Sequence, residues 1–176
     1  MTVLFFTIQN ELPDLDRIMD SYGTGLLRLC YLYLKDYHLA QDAVQETFIK
    51  VYSKYASFRS ESSEKTWITR IAMNVCRDMM RKRSYRDRPE EFSDYMAADA
   101  SGTPEQDAID RDESIVLLDA IRSLPDIYRQ TILLYYYDGF KAEEIAKIQH
   151  TAKSTVNVRL KRGRDMLRNI LQDDTL

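Results

Sequence analysis

Apolar positions recur at helical spacing along most of this chain, and the interruptions divide it. From Leu12 to Tyr37 the stripe is Leu12, Leu15, Met19, Tyr22, Leu26, Leu29, Tyr33 and Tyr37, which predicts one long amphipathic helix. Gly23 and Gly25 weaken its middle, each by about 1 kcal/mol relative to Ala. Lys35-Asp36-Tyr37-His38 is the expected break. A second helix is predicted from Leu39 to about Tyr55, with Ala43, Val44, Thr47, Phe48, Val51 and Tyr55 inward. Its other face carries Asp42, Gln45, Glu46, Ile49 and Lys50. Ile49 is apolar on a polar face, so it is either a core margin or part of a docking patch with an acidic rim. The stretch Phe58 to Glu64 is serine-rich and breaks the period, as a loop does. Ser63 or Glu64 is placed to start the next helix, predicted over Lys65 to Arg83. Trp67, Ile68, Ile71, Ala72, Val75 and Met79 form its apolar side, and Arg70, Asn74, Arg77 and Arg81 its polar side.

The period vanishes between Ala97 and Pro104, where turn residues gather. It returns with Ile115, Leu118, Ile121 and Leu124, a helix stopped by Pro125. Another helix follows from Ile127 to Tyr137, with Ile127, Thr131, Leu134 and Tyr135 expected on one side and Asp138-Gly139 as its stop. Lys141 to Arg168 then reads as a short helix, a tight turn and a longer basic helix. Ala146, His150 and Val156 stand at the offsets of the small, turn and core residues of a helix-turn-helix. The last helix is two-faced. Val156, Leu160, Gly163, Leu167 and Ile170 make a stripe to pack inward. Lys153, Asn157, Lys161, Arg164 and Arg168 make another, which either enters a major groove or is a solvated basic face.

Charge sharpens this division. Between Lys65 and Arg88 eight bases face two acids, leaving six positive charges; from Pro89 to Ser114 nine acids face one base, leaving eight negative charges. The net charge of −3 therefore hides two basic segments behind an acidic one. A polyanion suits the first basic segment, and a solvated helix end is the alternative. The acidic segment reads as a flexible linker that adds solubility, with nucleic-acid mimicry as the sharper alternative.

Composition agrees with mostly helix: only five Gly and four Pro occur, and 44% of residues are hydrophobic, enough for real cores. Cys30 and Cys76 each sit in an apolar helical run and are expected to be buried free thiols, although a disulfide remains open at this level. No Cys/His spacing matches a zinc site. The N-terminal apolar run lacks a basic start and a small-residue cleavage site, and no stretch reaches transmembrane length, so a cytoplasmic location is expected. Catalysis is not expected. There is no triad, phosphate loop or metal cluster, and Asp42 with Glu46 is a lone carboxylate pair.

Three stretches together carry a family resemblance: LAQDAVQETFIKVY (Leu39 to Tyr52), SFRSESSEKTWITRIAMNVCRDMMRKR (Ser57 to Arg83) and LPDIYRQTILLYYYDGFKAEEIAKI…STVNVRLKRGRDML (Leu124 to Leu167). They resemble, in order, the core-polymerase-binding segment, the promoter −10 segment and the −35-binding domain of extracytoplasmic-function (ECF) sigma factors. The resemblance implies an all-α protein of two small helical domains, 1–88 and 112–176, joined by a flexible acidic linker, 89–111, with the helix-turn-helix in the second.

By the same resemblance, the protein would be a promoter-specificity subunit that binds core RNA polymerase and directs initiation at −35/−10 promoters, of stress- or envelope-response genes. A stand-alone helix-turn-helix regulator is the alternative. Asp42, Gln45, Glu46 and Ile49 would meet polymerase. Arg59, Ser60, Ser62, Ser63, Lys65, Arg70, Asn74, Arg77 and Arg81 would hold the −10 strand. Lys153, Ser154, Asn157, Val158, Lys161 and Arg162 would read the −35 element, Asn157 being suited to adenine and Lys161 or Arg162 to guanine or phosphate. Trp67 would either stack at the edge of melted DNA or anchor the core. Arg159 would pair with Glu144 structurally. His150 stands where relatives have Gly and would need positive φ. Ala152 stands where many have a capping Ser, so Thr151 would cap instead. No cofactor or metal is implied; an anti-sigma factor, usually membrane-anchored, is an expected partner.

Overall fold

A computed structural model describes residues 13–84 and 116–173. The acidic stretch therefore lies outside the described residues, as do Leu12, Arg86, Arg88 and Ile115. The elements are α1 (Leu15–Leu34), α2 (Tyr37–Lys54), α3 (Glu64–Ser84), α4 (116–123), α5 (Asp126–Ile132), α6 (Ala142–Gln149) and α7 (Lys153–Asp173), with no strand among the described residues. Helices α1 to α3 pack on one another as an N-terminal unit. Helices α5 to α7 form the frame of a second.

Local chemistry sets the helix ends. Asp14 accepts from the Arg17 amide at 3.0 Å and Asp36 from that of Leu39 at 2.9 Å, capping α1 and α2. Lys35 turns the chain between them at φ 63°. Ser63 caps α3: its Oγ accepts from the Thr66 amide at 3.1 Å. Gly139, at φ 71°, takes the left-handed position after α5 that an L side chain rarely adopts.

The N-terminal core is built from Ile18, Leu26, Leu29, Ala43, Val51, Ile68, Ala72, Met73 and Val75, all buried. The helical stripes anticipated most of it. Two corrections concern α1: Met19, expected inward, is exposed, and Ile18 is fully buried instead. Cys30 and Cys76 meet in this core as free thiols, their sulfurs 3.5 Å apart. Contact with Cys30 and burial push the Cys76 thiol well above its ordinary range. Trp67 is buried against Phe58, with ring centroids 5.0 Å apart, and Tyr55, at 5.9 Å. It therefore anchors the core.

In the second unit, Ile127 and Tyr135 are exposed, against expectation, while Arg129, Gln130, Ile132 and Leu133 are buried. For Tyr135 the reason is a wider turn from Leu133 to Tyr137, closed by the Asp138 amide on the Leu133 carbonyl at 3.1 Å. The extra residue rotates the face that follows. For Arg129 the reason is that its guanidinium finds partners inside. It donates to the Arg122 carbonyl at 2.9 Å, pairs with Asp126 and lies over the Tyr33 ring. Val156, Leu160 and Gly163 of α7 are buried as predicted. At Gly163 a Cβ would sit 3.0 Å from the Ile132 side chain, so any larger residue would push Ile132 aside at this helix crossing.

Candidate nucleic-acid interface

Three exposed faces carry the residues singled out from the sequence. On α7 the period of 3.6 places Lys153, Ser154, Asn157, Val158, Lys161 and Arg162 opposite the buried stripe, and all six are exposed. Among them Lys153 pairs with Glu143. The arrangement projects one amide, three cations, one hydroxyl and an apolar side chain from one helix face, a chemistry suited to base edges and phosphates.

The turn before α7 has the expected backbone. His150 sits at φ 51°, ψ 51°, and its amide bonds back to the Ala146 carbonyl. The cap differs: α7 starts at Lys153, leaving Ala152 in the position before it, where no side chain can accept a hydrogen bond. Arg159 is structural, but its partner is different from the one expected. It donates to Gln149 Oε1 at 2.7 Å. Glu144 instead accepts from the Lys141 amide at 2.9 Å and from Thr66 Oγ1 at 3.2 Å. The reach of Arg159 is set by a turn geometry that spacing alone does not give.

On α2, Asp42, Gln45 and Ile49 are exposed, Ile49 by 69% of its surface. Glu46 is half-buried and pairs with Lys50 at 2.6 Å. This exposure places Ile49 on the surface patch and off the core margin. A large apolar side chain ringed by Asp42, Gln45 and Glu46 matches the makeup of a protein-docking patch.

The third face is the 57–63 loop with the polar side of α3. Arg59 and Ser60 are exposed, Ser60 at φ 56°. Ser62 is half-buried. Ser63 is exposed but its hydroxyl is already engaged with Thr66 at 2.8 Å, so its first role is the cap. Along α3, Arg70 and Asn74 are half-buried, and Arg77 and Arg81 exposed. Asn74 accepts weakly from Arg77 at 3.4 Å, and Arg81 pairs with Asp78. Lys65 is engaged across to the second unit: it donates to the Asp138 carbonyl at 3.0 Å and lies over the Phe140 ring.

Two residues that matter here escaped the sequence reading. Glu64, seen only as a helix start, gathers Arg17 through two bonds at 2.8 and 3.0 Å, Tyr55 at 2.6 Å and Tyr22 at 3.0 Å. These donors, Arg17 foremost, hold its carboxyl at about 2, below the usual range. Its partners come from α1 and from beyond the end of α2, so no local spacing flags it. Asp138, seen only as a helix stop, is half-buried, and loss of water raises its carboxyl to about 6 despite the nearby Lys65. Among the described residues no group of His, Cys, Asp and Glu could hold a metal ion, and no helix is long and apolar enough to cross a membrane.

Residues 18–86 match the family described as Sigma-70 region 2, and residues 114–167 match Sigma-70 region 4. The chain is 33% identical over 168 residues to the ECF RNA polymerase sigma factor SigW of Bacillus subtilis, covering 89% of this chain and 88% of that one. It is 34% identical over 142 residues to the ECF RNA polymerase sigma-E factor of Haemophilus influenzae, covering 74% of each. Its fold is similar to that of the sigma factor RpoE from Bartonella quintana, solved in complex with the anti-sigma factor NepR. The TM-score there is 0.74 and the identity 24%, over 90% of this chain and 97% of that one.

Proposed function

Because this chain belongs to the ECF RNA polymerase sigma factors, we propose a division of labour among its three faces. The protein is a sigma subunit: it binds core RNA polymerase and directs transcription initiation at promoter DNA. In our reading Asp42, Gln45, Glu46 and Ile49 dock on polymerase. Arg59, Ser60, Ser62, Ser63 and Lys65, with Arg70, Asn74, Arg77 and Arg81, hold the unpaired −10 strand. Lys153, Ser154, Asn157, Val158, Lys161 and Arg162 read the −35 element in the major groove. The acidic stretch at 89–111 tethers the units 1–88 and 112–176.

The carrying observation is that all six α7 residues are exposed on the face opposite the buried Val156, Leu160 and Gly163. Phosphates are tracked by cations, and bases by Asn157 and the loop hydroxyls. The protein works by binding alone, without covalent chemistry, in the cytoplasm. Neither unit needs high affinity for DNA, because polymerase holds both at high effective concentration.

Purified core polymerase, with and without the protein, on a genomic DNA library gives the test. Transcripts that start at shared −35/−10 elements only when the protein is present support the assignment. DNA binding without promoter-dependent transcripts would leave a stand-alone helix-turn-helix regulator. The NepR complex of RpoE suggests an inhibitory anti-sigma partner here too, and co-purification from cells under non-inducing growth checks it.

A further inference from the structure

One side-chain amide joins the three helices of the second unit. Gln149 is the last residue of α6 and is half-buried. Its Oε1 accepts from the Arg159 guanidinium of α7 at 2.7 Å. Its Nε2 donates to Thr131 Oγ1 at 3.0 Å and to Gln130 Oε1 at 3.2 Å, both on α5. Thr131 in turn donates to the Ile127 carbonyl at 2.6 Å, which leaves its oxygen as an acceptor. Gln130 and Thr131 are buried, and Arg159 is half-buried. Both ends of the Gln149 amide are thus in use. Turned over, it would set an NH2 group against a guanidinium, so its orientation is fixed by chemistry.

This relay acts on the helix that carries the −35 face. Arg159 lies between Asn157 and Lys161 on α7. The buried side of α7 is held by Val156, Leu160 and Gly163, through apolar contacts that have no preferred direction. The Arg159 bond to Gln149 is directional and resists rotation of α7 about its own axis. The magnitudes show why this matters. On a helix 10–12 Å across, a rotation of about 20° carries side-chain tips by about 2 Å. Hydrogen-bond distances span only about 0.5 Å, so a turn of that size is enough to lose a contact to a base edge.

We propose that Gln149 is a positioning residue for promoter reading: through Arg159 it sets the rotation of α7, and so how sharply Asn157 and its neighbours distinguish one base from another. The inference rests on the −35 assignment above. A tie that only holds the fold together changes stability and overall affinity. A tie that sets rotation changes the ratio between right and wrong bases. The requirement is for an acceptor oxygen facing Arg159. Gln149→Glu keeps that oxygen, and the α5 partners can adapt to it. The Thr131 hydroxyl can turn, and Gln130 can turn its amide over to bring forward an Nε2 that is buried without a partner. Gln149→Leu removes the acceptor at nearly constant volume.

The test uses the full chain on core polymerase and duplexes from a promoter found in the transcription assay, with each −35 position replaced in turn. Competition fluorescence anisotropy gives, position by position, the affinity ratio between the original base and its replacement. The variants are Gln149→Leu, Gln149→Glu, Arg159→Leu, and Gln149→Leu combined with Asn157→Ala. Circular dichroism checks that each is folded.

Gln149→Leu should lower the ratio about tenfold at the position that Asn157→Ala flattens. Arg159→Leu cuts the relay from the α7 side and should match it, and it carries the test if Gln149→Leu does not fold. Gln149→Glu should stay within about twofold of the parent ratio, because the acceptor is kept. On the Asn157→Ala background, Gln149→Leu should flatten that position no further, since it acts through the same side chain. Uniform loss of affinity with unchanged ratios, or no change at all, makes the relay a structural tie and overturns the proposal. Equal flattening by Glu and by Leu also overturns it, because the acceptor oxygen would then be irrelevant. If the parent holoenzyme shows no base preference across the −35 element, the −35 reading itself fails and this inference with it.

Discussion

Glu64 ties together the start of α3, the first two turns of α1 and the turn after α2, and its removal should loosen all three. Replacing it with Gln keeps the volume but removes the charge that Arg17, Tyr22 and Tyr55 share. The folded state holds this carboxyl at about 2 against 4.5 when free. A displacement of that size corresponds to about 3 kcal/mol at most. Arg17 is 47% exposed, so solvent screening cuts the expected loss to roughly 1–2 kcal/mol. The sign follows from the depressed value: the contribution is complete above pH 4.5 and fades as pH falls toward 2. Urea unfolding followed by circular dichroism should therefore show Glu64→Gln weaker by roughly 1–2 kcal/mol at pH 7, with the gap closing between pH 4.5 and 2. Strand binding should weaken too, because Tyr55 steadies Phe58 and Trp67 beside the loop, whereas −35 binding should not change. A gap of equal size at pH 3 and pH 7, or none at pH 7, would refute the hub.

Other substitutions separate the faces. Asp138→Asn should stabilise the protein at pH 7 by roughly 1–2 kcal/mol and not at pH 3.5, since a carboxyl raised to about 6 costs stability as pH climbs from 3.8 through 6; denaturation at the two pH values reads it. Asn157→Ala should lower −35 duplex affinity by about 1–3 kcal/mol in a gel-shift assay and relax choice at one base, with the melting temperature unchanged. Glu46→Lys should weaken polymerase binding in a pull-down while helical content stays constant; loss of helicity would instead make the Glu46–Lys50 pair structural. Gly163→Val should cost about 1–3 kcal/mol in thermal unfolding, because its Cβ alone would crowd Ile132 at 3.0 Å, and the −35 face should fail along with the packing.

The helices and the exposed α7 face follow from local rules that a sequence expresses directly. A period of 3.6 sorts Val156, Leu160 and Gly163 from Asn157 and Lys161 without reference to anything beyond the helix. The left-handed turn at His150 and the stop at Asp138-Gly139 are equally local, set by steric limits on one or two residues. So was the family, because the three stretches that carry it are each continuous in the chain.

What the tertiary structure decided depends on residues far apart in sequence. Arg129 and Gln130 look like surface residues until the Arg122 carbonyl and the Tyr33 ring take up the Arg129 guanidinium and Gln149 donates to Gln130 Oε1. Tyr135 faces out, against its expected inward place, because the wider turn at Leu133–Tyr137 adds a residue that no periodicity announces. Glu64 became a hub, and Arg159 found Gln149 in place of Glu144, through side-chain reach across turns. The contact of Lys65 with the second unit is of the same kind. Lys65 reads as a DNA-facing cation in any local window, and only the packing of α6 on α3 gives it the Asp138 carbonyl as a partner. Sequence fixes backbone preference and facial polarity over one helix at a time, whereas partnership between faces requires the whole chain to be folded, because hydrogen bonds and burial are decided by distance in space.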